Sequence, residues 1–558
     1  MMINEHSRHR RRRALPLAAG SVVLSTAFFT PQTTWAQDAT SSAEEREPYL
    51  DTVYYDEADE TGQLTGGVTR LLIDAPDRKT ITPIPAEAYT LGELDNPANR
   101  IDLVFVGDGY LASQMSTYHA HVDLQVGQFF AEEPFITYAP FFNVHRVEVV
   151  SAESGVDHDP TYPIWRNTAL DMGFWCSGIE RLLCVNVGAA YGYAANAPDV
   201  DLVAAIANSV KYGGAGYSSS DLATASGGNS LATEVLLHEF GHALGNLADE
   251  YHYYDGTRYN GGEVPEANVS IYDESQIRSR RTKWHLWLGE NDPNFDGLVS
   301  AFEGARYYQY GIYRPTNNSL MNSLNRPFNL PSVEAIIIEM YRIVDPIDDA
   351  SPTAPVYTED DTLFVDPIDP SDHALTIQWY LDGDPIPWAT NERLDLGLLQ
   401  MSPGRHEVSV TVVDEIEWVR DEDDRADWLT ETREYQVDAS GGGPCLALSV
   451  PTLTAGEDAT IEVTGGVAGS EVAILWGVQD GQFSAEQNGW CVEFDFAVPD
   501  GRAAARVVAM GAFDSSGRFE ATVTVPPSAA GRELRFQSAM RGTCPGTCMS
   551  EVVIQVVQ

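Results

Sequence analysis

His238-Glu239-Phe240-Gly241-His242 is the stretch whose reading decides this chain. Leu231-Ala232-Thr233-Glu234-Val235-Leu236-Leu237 runs into it, and Ala243-Leu244-Gly245-Asn246-Leu247-Ala248-Asp249-Glu250-Tyr251 leads out. The run-in is built from good helix formers and apolar residues, as a buried helix requires. Side chains four apart on a helix share a face, so His238 and His242 can offer two imidazoles to one Zn2+. Glu239 then lies beside them as general base toward a water. The five-residue pattern alone is equally compatible with a surface helix carrying two histidines, and the run-in is what favours the metal. Gly245 and Asn246 are the residue types that best tolerate a left-handed turn, and they end the helix.

A catalytic zinc takes three protein ligands and keeps one position for water or substrate. The spacing H-E-x-x-H-x-x-G-x-x-H would place the third ligand at Ala248, which has no donor atom. If Asn246 makes the turn, Asp249 keeps the same three-residue offset. Asp249 is therefore the expected third ligand and Glu250 the alternative, the other carboxylate being left to orient a histidine. Downstream, Asn318-Ser319-Leu320-Met321-Asn322 carries Met321, the candidate for a methionine turn beneath the metal. A further core methionine is the competing reading.

In these features and in several earlier segments the chain resembles the IgA peptidase family of metzincin-like zinc metallopeptidases. Ile101 to Tyr110 resembles that family's opening strand and glycine turn. Glu133-Pro134-Phe135, Phe142 to Arg146 and Ser154 to Asp157 resemble its next blocks, and Tyr212 to Gly216 its glycine loop. His238 to Tyr251 resembles its H-E-F-G-H…D-E-Y signature, and Gly311 to Pro315 with Met321 its methionine turn. The resemblance covers about residues 85–345 and implies a zinc endopeptidase with His238, His242 and Asp249 as ligands and Glu239 as base. Ser319 departs from members that carry cysteine there.

The chain has 558 residues, 43% of them hydrophobic, and a formal net charge of −48. That length allows three or four domains. Such an acidic surface repels nucleic acid and anionic membranes, so neither is an expected partner. Lysine occurs only at positions 79, 211 and 283, a balance suited to salty water. Arg8 and Arg10 to Arg13 precede the apolar run Ala14 to Phe29, and Thr34-Trp35-Ala36 suits a cleavage site. Residues 1–36 therefore read as a signal peptide, and the expected protein is exported, secreted or periplasmic, with no integral membrane segment after signal removal. Six cysteines in an exported chain read as disulfides. Cys176 and Cys184 pair locally; Cys445, Cys491, Cys544 and Cys548 make two further bridges of open connectivity.

The expected organisation is multidomain. Residues 37–84 form a disordered and then strand-rich lead-in, and 85–346 an α/β (α+β) zincin-like catalytic domain. Residues 347–438 alternate as in Ile377 to Asp384 and His406 to Asp414, an Ig-like β-sandwich. Residues 439–444 are a linker, and 445–558 a second, disulfide-bearing sandwich. The run Asp421 to Asp424 reads as a solvated turn.

A second metal is suggested by Asp292 to Glu303, which fits a calcium-loop template. Asp292, Asn294, Asp296, Leu298 (through its carbonyl), Ser300 and Glu303 would supply oxygens to Ca2+, with a solvated acidic loop the competing reading. The expected activity is hydrolysis of a protein or peptide substrate, with Tyr251, Tyr308 and Tyr313 as candidate transition-state donors. Two other readings stay open: a binding or adhesion protein using its β-sandwiches with a silent zincin domain, and a zinc hydrolase acting on glycans or esters. The intact Glu239 argues against the first, because a structural site has no need of that carboxylate.

Overall fold

The computed structural model describes residues 48–59, 62–74, 81–399, 401–402, 404–439, 446–478, 483–484, 493–494, 507–541, 549–550 and 552–558. The expected signal peptide, most of the expected 439–444 linker and the four C-terminal cysteines lie outside the described residues. The chain is multidomain and mixed α/β, and divides into two compact units.

The first unit comprises the described residues up to 345, with 370–372 and 416–424. Its frame is an eight-stranded mixed sheet built from β1 (Tyr49–Ala58), β2 (Leu64–Ile73), β3 (Glu87–Thr90), β4 (Ile101–Asp108), β5 (Phe142–Glu148), β6 (Leu202–Ala207), β7 (Gly214–Tyr217) and β8 (Leu222–Ser226). The order is β2-β1-β7-β8-β6-β4-β5-β3. Strands β5, β4, β6 and β8 are parallel, while β7 runs antiparallel to β8 and to β1. Every residue of β4 and β6 is buried. That suits their near-continuous apolar runs, since a parallel strand is covered on both faces.

On one face Val104, Val106, Val203 and Ala205 share a core with α2 (Val187–Ala194) and the 156–185 segment. Cys176 and Cys184 form a disulfide in that segment, with a Cα–Cα distance of 5.9 Å. The other face carries α1 (Met115–Phe129) and α3 (Ala232–Ala243), joined by an edge-to-face contact of Phe129 with Phe240 at 5.5 Å. The segment 49–73, outside the region of family resemblance, supplies two strands of the same sheet.

After α3 come the short α4 (Glu274–Arg280), two hairpins, β9 (Asn291–Asp292) with β10 (Gly297–Leu298) and β11 (Phe302–Ala305) with β12 (Tyr308–Arg314), and α5 (Leu330–Tyr341). α5 packs beneath the end of α3: a Cβ on Gly245 would stand 2.8 Å from Ile336 Cγ1. The run Asp421 to Asp424, expected as a solvated turn, instead enters a helix over Glu422–Trp428. Asp421 accepts the backbone N–H groups of Asp423 and Asp424, so the acidic residues start a helix as capping chemistry favours.

The second unit is all-β apart from short turns. Strands Ile347–Ala350, Thr362–Pro367 and Arg393–Asp395 form one sheet; Thr376–Leu381, Gly404–Val413 and Thr430–Ala439 anchor another. Leu363, Trp379, Val408, Val410 and Tyr435 fill one core between them. A further core of Ile461, Val463, Ile474 and Phe536 joins the sheet of Asp458–Thr464 to that of Glu471–Gly477 and Glu533–Met540. Alternate burial along Thr376–Leu381 and Asp458–Thr464 is the period-2 pattern of half-buried strands.

Candidate metal centre

α3 brings His238, Glu239 and His242 into the interior, all three buried. The helix ends at Leu244, and Asn246, with φ +49°, carries the left-handed turn. Leu247 N–H then returns to Gly241 O at 3.0 Å, which closes the C-terminus and sends the chain back over the histidines.

Each imidazole is oriented from behind. His238 Nδ1 donates to Leu320 O at 3.0 Å, and His242 Nδ1 donates to Leu247 O at 2.7 Å. With both Nδ1 positions donating to carbonyls, both Nε2 atoms present lone pairs. Those two Nε2 atoms stand 3.1 Å apart, and Asp249 Oδ1 lies 3.3 Å from each. Asp56 Oδ2 approaches His238 Nε2 at 2.7 Å. The four ligand atoms lie within 4.8 Å of one another. Neither Asp249 Oδ1 nor Asp56 Oδ2 receives a hydrogen bond. With both imidazoles neutral these are four acceptor atoms, which repel unless a cation sits in their midst. A tetrahedral ion with bonds of about 2.0–2.1 Å holds its ligand atoms roughly 3.3 Å apart, so the donor set fits a metal ion.

The outer oxygens of both aspartates are held by phenols. Tyr307 OH donates to Asp249 Oδ2 at 2.5 Å, and Tyr251 OH donates to Asp56 Oδ1 at 2.6 Å. Tyr307 follows Arg306, and both have positive φ, an uncommon backbone for non-glycine residues. Arg306 N–H on Asp249 O and Tyr307 N–H on Tyr251 O hold them there. Burial, and next the Asp56 charge, push the Glu239 carboxyl well above its ordinary value.

Glu250, the alternative ligand, points elsewhere. Its carboxylate accepts from Ser319 OH at 2.8 Å, Asn268 Nδ2 at 3.0 Å and Asn329 Nδ2 at 2.8 Å. Burial pushes its carboxyl up to about 7 despite these bonds. Its N–H donates to Met321 O at 2.7 Å, so Glu250 ties the loop after α3 to the turn that carries Met321. Met321 is fully buried, its sulfur directly beneath Gly241 of α3. Ser319 supplies a hydroxyl to the Glu250 carboxylate.

Of the tyrosines singled out, Tyr251 is at the centre. Tyr308 packs edge-on to Tyr259 at 5.3 Å, and the Tyr313 backbone pairs with Ser270, both away from the cluster. Tyr307, the neighbour of Tyr308, is the phenol on Asp249; the tyrosine run 307–310 was the signal for it, but not for which member points inward. Asp56 and Tyr54, whose ring stacks on His242 at 4.0 Å, carried no motif. Tyr212 to Gly216, expected as a glycine loop, is largely strand β7. A Cβ on Gly216 would stand 2.7 Å from Glu239 Oε2, so glycine is what lets α3 lie against this strand.

The expected calcium ligands lie in and after a short hairpin. Asp292 and Leu298 belong to the β9–β10 hairpin, and the Asp292 side chain caps Asn294 N–H at 2.9 Å. Asp296 pairs with Arg326, Ser300 OH donates to Glu274 at 2.7 Å, and Glu303 accepts from Gly311 N–H at 2.8 Å. Of these residues, the side chains of Asp292, Asp296, Ser300 and Glu303 each have another partner. Among the described residues the Asp56–His238–His242–Asp249 group is the metal-competent cluster, and no helix is long and apolar enough to cross a membrane.

The model of a family described as IgA Peptidase M64 matches residues 90–295 and 293–340. No curated protein matches. Among solved structures the chain is similar to a chicken interferon gamma receptor alpha chain, at 8% identity and a TM-score of 0.15, over 37% of this chain and 97% of that one. It is also similar to a tetra-tandem repeat in the extending region of a large adhesion protein, at 12% identity and a TM-score of 0.16, over 38% of this chain and 50% of that one. A Salmonella alpha-2-macroglobulin matches at 13% identity and a TM-score of 0.14, over 38% of this chain and 14% of that one. Likeness at this level carries no argument about the fold.

Proposed function

Residues 90–340 belong to the IgA Peptidase M64 family, a peptidase assignment that implies a protein substrate, and on that premise we propose that the chain is an exported zinc-dependent endopeptidase. The observation that carries the reading is the gathering of two lone-pair Nε2 atoms and Asp249 Oδ1 at 3.1–3.3 Å, beside Glu239. Nitrogen and carboxylate donors at these separations suit zinc. When bound, zinc supplies Lewis acidity toward the scissile carbonyl and lowers the pKa of a water to about 7.

His238, His242 and Asp249 would hold the ion, and Leu320 O, Leu247 O and Tyr307 fix how they point. Glu239 takes one proton from water as oxygen bonds to the carbonyl carbon, then hands it to the departing amine nitrogen as the C–N bond breaks. The two all-β cores of the second unit are read as Ig-like accessory domains following a zincin-like catalytic region.

The test is Glu239→Gln. Cleavage of a mixed protein substrate is expected to fall by about 100- to 10,000-fold while one zinc per chain is retained. Undiminished cleavage with zinc still bound overturns Glu239 as the base, and a folded wild-type chain that takes up no zinc overturns the metal.

A further inference from the structure

Asp56 comes from β1, outside the 90–340 region that matches the peptidase family. Three protein ligands and one open position are what a catalytic zinc needs, and four protein ligands make a closed site. His238, His242 and Asp249 already supply three. Asp56 Oδ2, 2.7 Å from His238 Nε2, therefore stands where the open position belongs.

The path of β1 has the same character. It pairs antiparallel with β7 at Val53↔Tyr217 and Tyr54↔Gly216. Gly216 is the residue pressed against Glu239. With β1 absent, this side of β7 is a sheet edge beside the general base, and an extended peptide adds to such an edge through main-chain hydrogen bonds. β1 thus lies along the line a substrate backbone would take, with Tyr54 over His242 and Asp56 at the metal.

We propose that residues 49–73 form an autoinhibitory strap: β1 occupies the substrate path along β7, and Asp56 fills the coordination position that hydrolysis needs open. The inference rests on the zinc endopeptidase reading. The strap is a unit in itself, since β1 pairs with β2 along its whole length, Tyr49↔Ile73 to Ala58↔Leu64, but with β7 at two residues. Polar ties pin it to the catalytic region. Asp51 accepts from Ser219 N–H at 2.8 Å and Ser220 OH at 2.5 Å, Glu57 pairs with Arg181 at 2.6 Å, and Gln63 Nε2 donates to Asn322 O at 3.0 Å. Cutting or lifting the strap withdraws Asp56, opens the metal, and frees the Tyr251 hydroxyl to face the substrate.

The test uses the full exported chain loaded with Co2+, compared with Asp56→Ala, and follows visible absorption during titration with acetohydroxamate. A strap closed about 99% of the time weakens apparent hydroxamate binding roughly 100-fold. The variant should therefore respond at about 100-fold lower hydroxamate than the wild type, and its zinc form should cleave protein faster. Equal responses from two cobalt-loaded proteins overturn the strap and leave the zinc reading standing. Failure of the folded wild type to take up cobalt overturns both, and a folded variant that takes up none while the wild type does overturns the strap alone, since Asp56 is then a structural ligand. If Asp56→Ala does not fold, Asp56→Asn, which keeps an acceptor for Tyr251, gives the same comparison.

Discussion

Placing a methyl group on Gly241 tests whether Met321 is the floor of the metal site. Gly241 lies on α3 between the two histidines, and an added Cβ would stand 2.6 Å from Met321 Sδ, 3.3 Å from its Cε and 3.1 Å from Phe328 Cε1. Ordinary contacts are about 3.5–4.0 Å, so the thioether must retreat by roughly 1 Å. Overpacking of this kind costs about 1–3 kcal/mol. Replacing glycine in a helix interior returns up to about 1 kcal/mol, leaving Gly241→Ala destabilised by roughly 0–2 kcal/mol. Met321→Ala alone should cost about 2–5 kcal/mol through its cavity. In the double variant the new methyl enters the vacated space, so the combined loss should fall short of the sum by about 1–3 kcal/mol. Urea denaturation of the four metal-free proteins measures this coupling. A second readout is zinc affinity, because retreat of Met321 moves Leu320 O, which holds His238 Nδ1 at 3.0 Å. Loss of such an orienting contact lowers metal affinity about 10- to 100-fold, and the double variant should recover part of it. Stability changes that add within about 0.5 kcal/mol would refute the packing argument.

Asp249→Asn should lose stoichiometric zinc, whereas Glu250→Gln should keep it and lose about 1–3 kcal/mol of stability through its broken hydrogen bonds; metal analysis of the dialysed proteins with the opposite ranking would exchange their roles. Burial raises the Glu334 carboxyl, which accepts from Trp287 Nε1 at 2.6 Å and Arg420 N–H at 2.7 Å. A raised folded value means the native state holds this proton to higher pH than the unfolded chain does, so its contribution is full below about pH 4.5 and is lost as pH rises through the folded value. Glu334→Gln should therefore flatten part of the fall in urea midpoint from pH 4 upward, and an unchanged slope counts against it. Cys176→Ser with Cys184→Ser reopens a loop whose ends are 8 residues apart. Chain entropy puts that loss at about 2.5 kcal/mol, to be read from the same denaturation curves against the wild type.

Much of the centre was legible because it is local. His238 and His242 share a face by helical periodicity, and the left-handed turn at Asn246 puts Asp249 at the right offset. The alternation in Thr376–Leu381 and Asp458–Thr464 likewise marks half-buried strands without any knowledge of their partners. The choice between Asp249 and Glu250 was not local, since it depends on Asn268, Ser319 and Asn329 converging on one carboxylate from three distant segments. The calcium template matches residue types alone, while in the structure Asp292 and Leu298 pair within a hairpin and Asp296 pairs with Arg326. Sequence by itself determined which residues can carry the chemistry, because helix period, turn preference and side-chain type are properties of short stretches. Only the tertiary structure decided that Asp56 joins them. Its place depends on which strand covers the free edge of β7, and edge pairing is settled by the whole sheet rather than by any residue in β1.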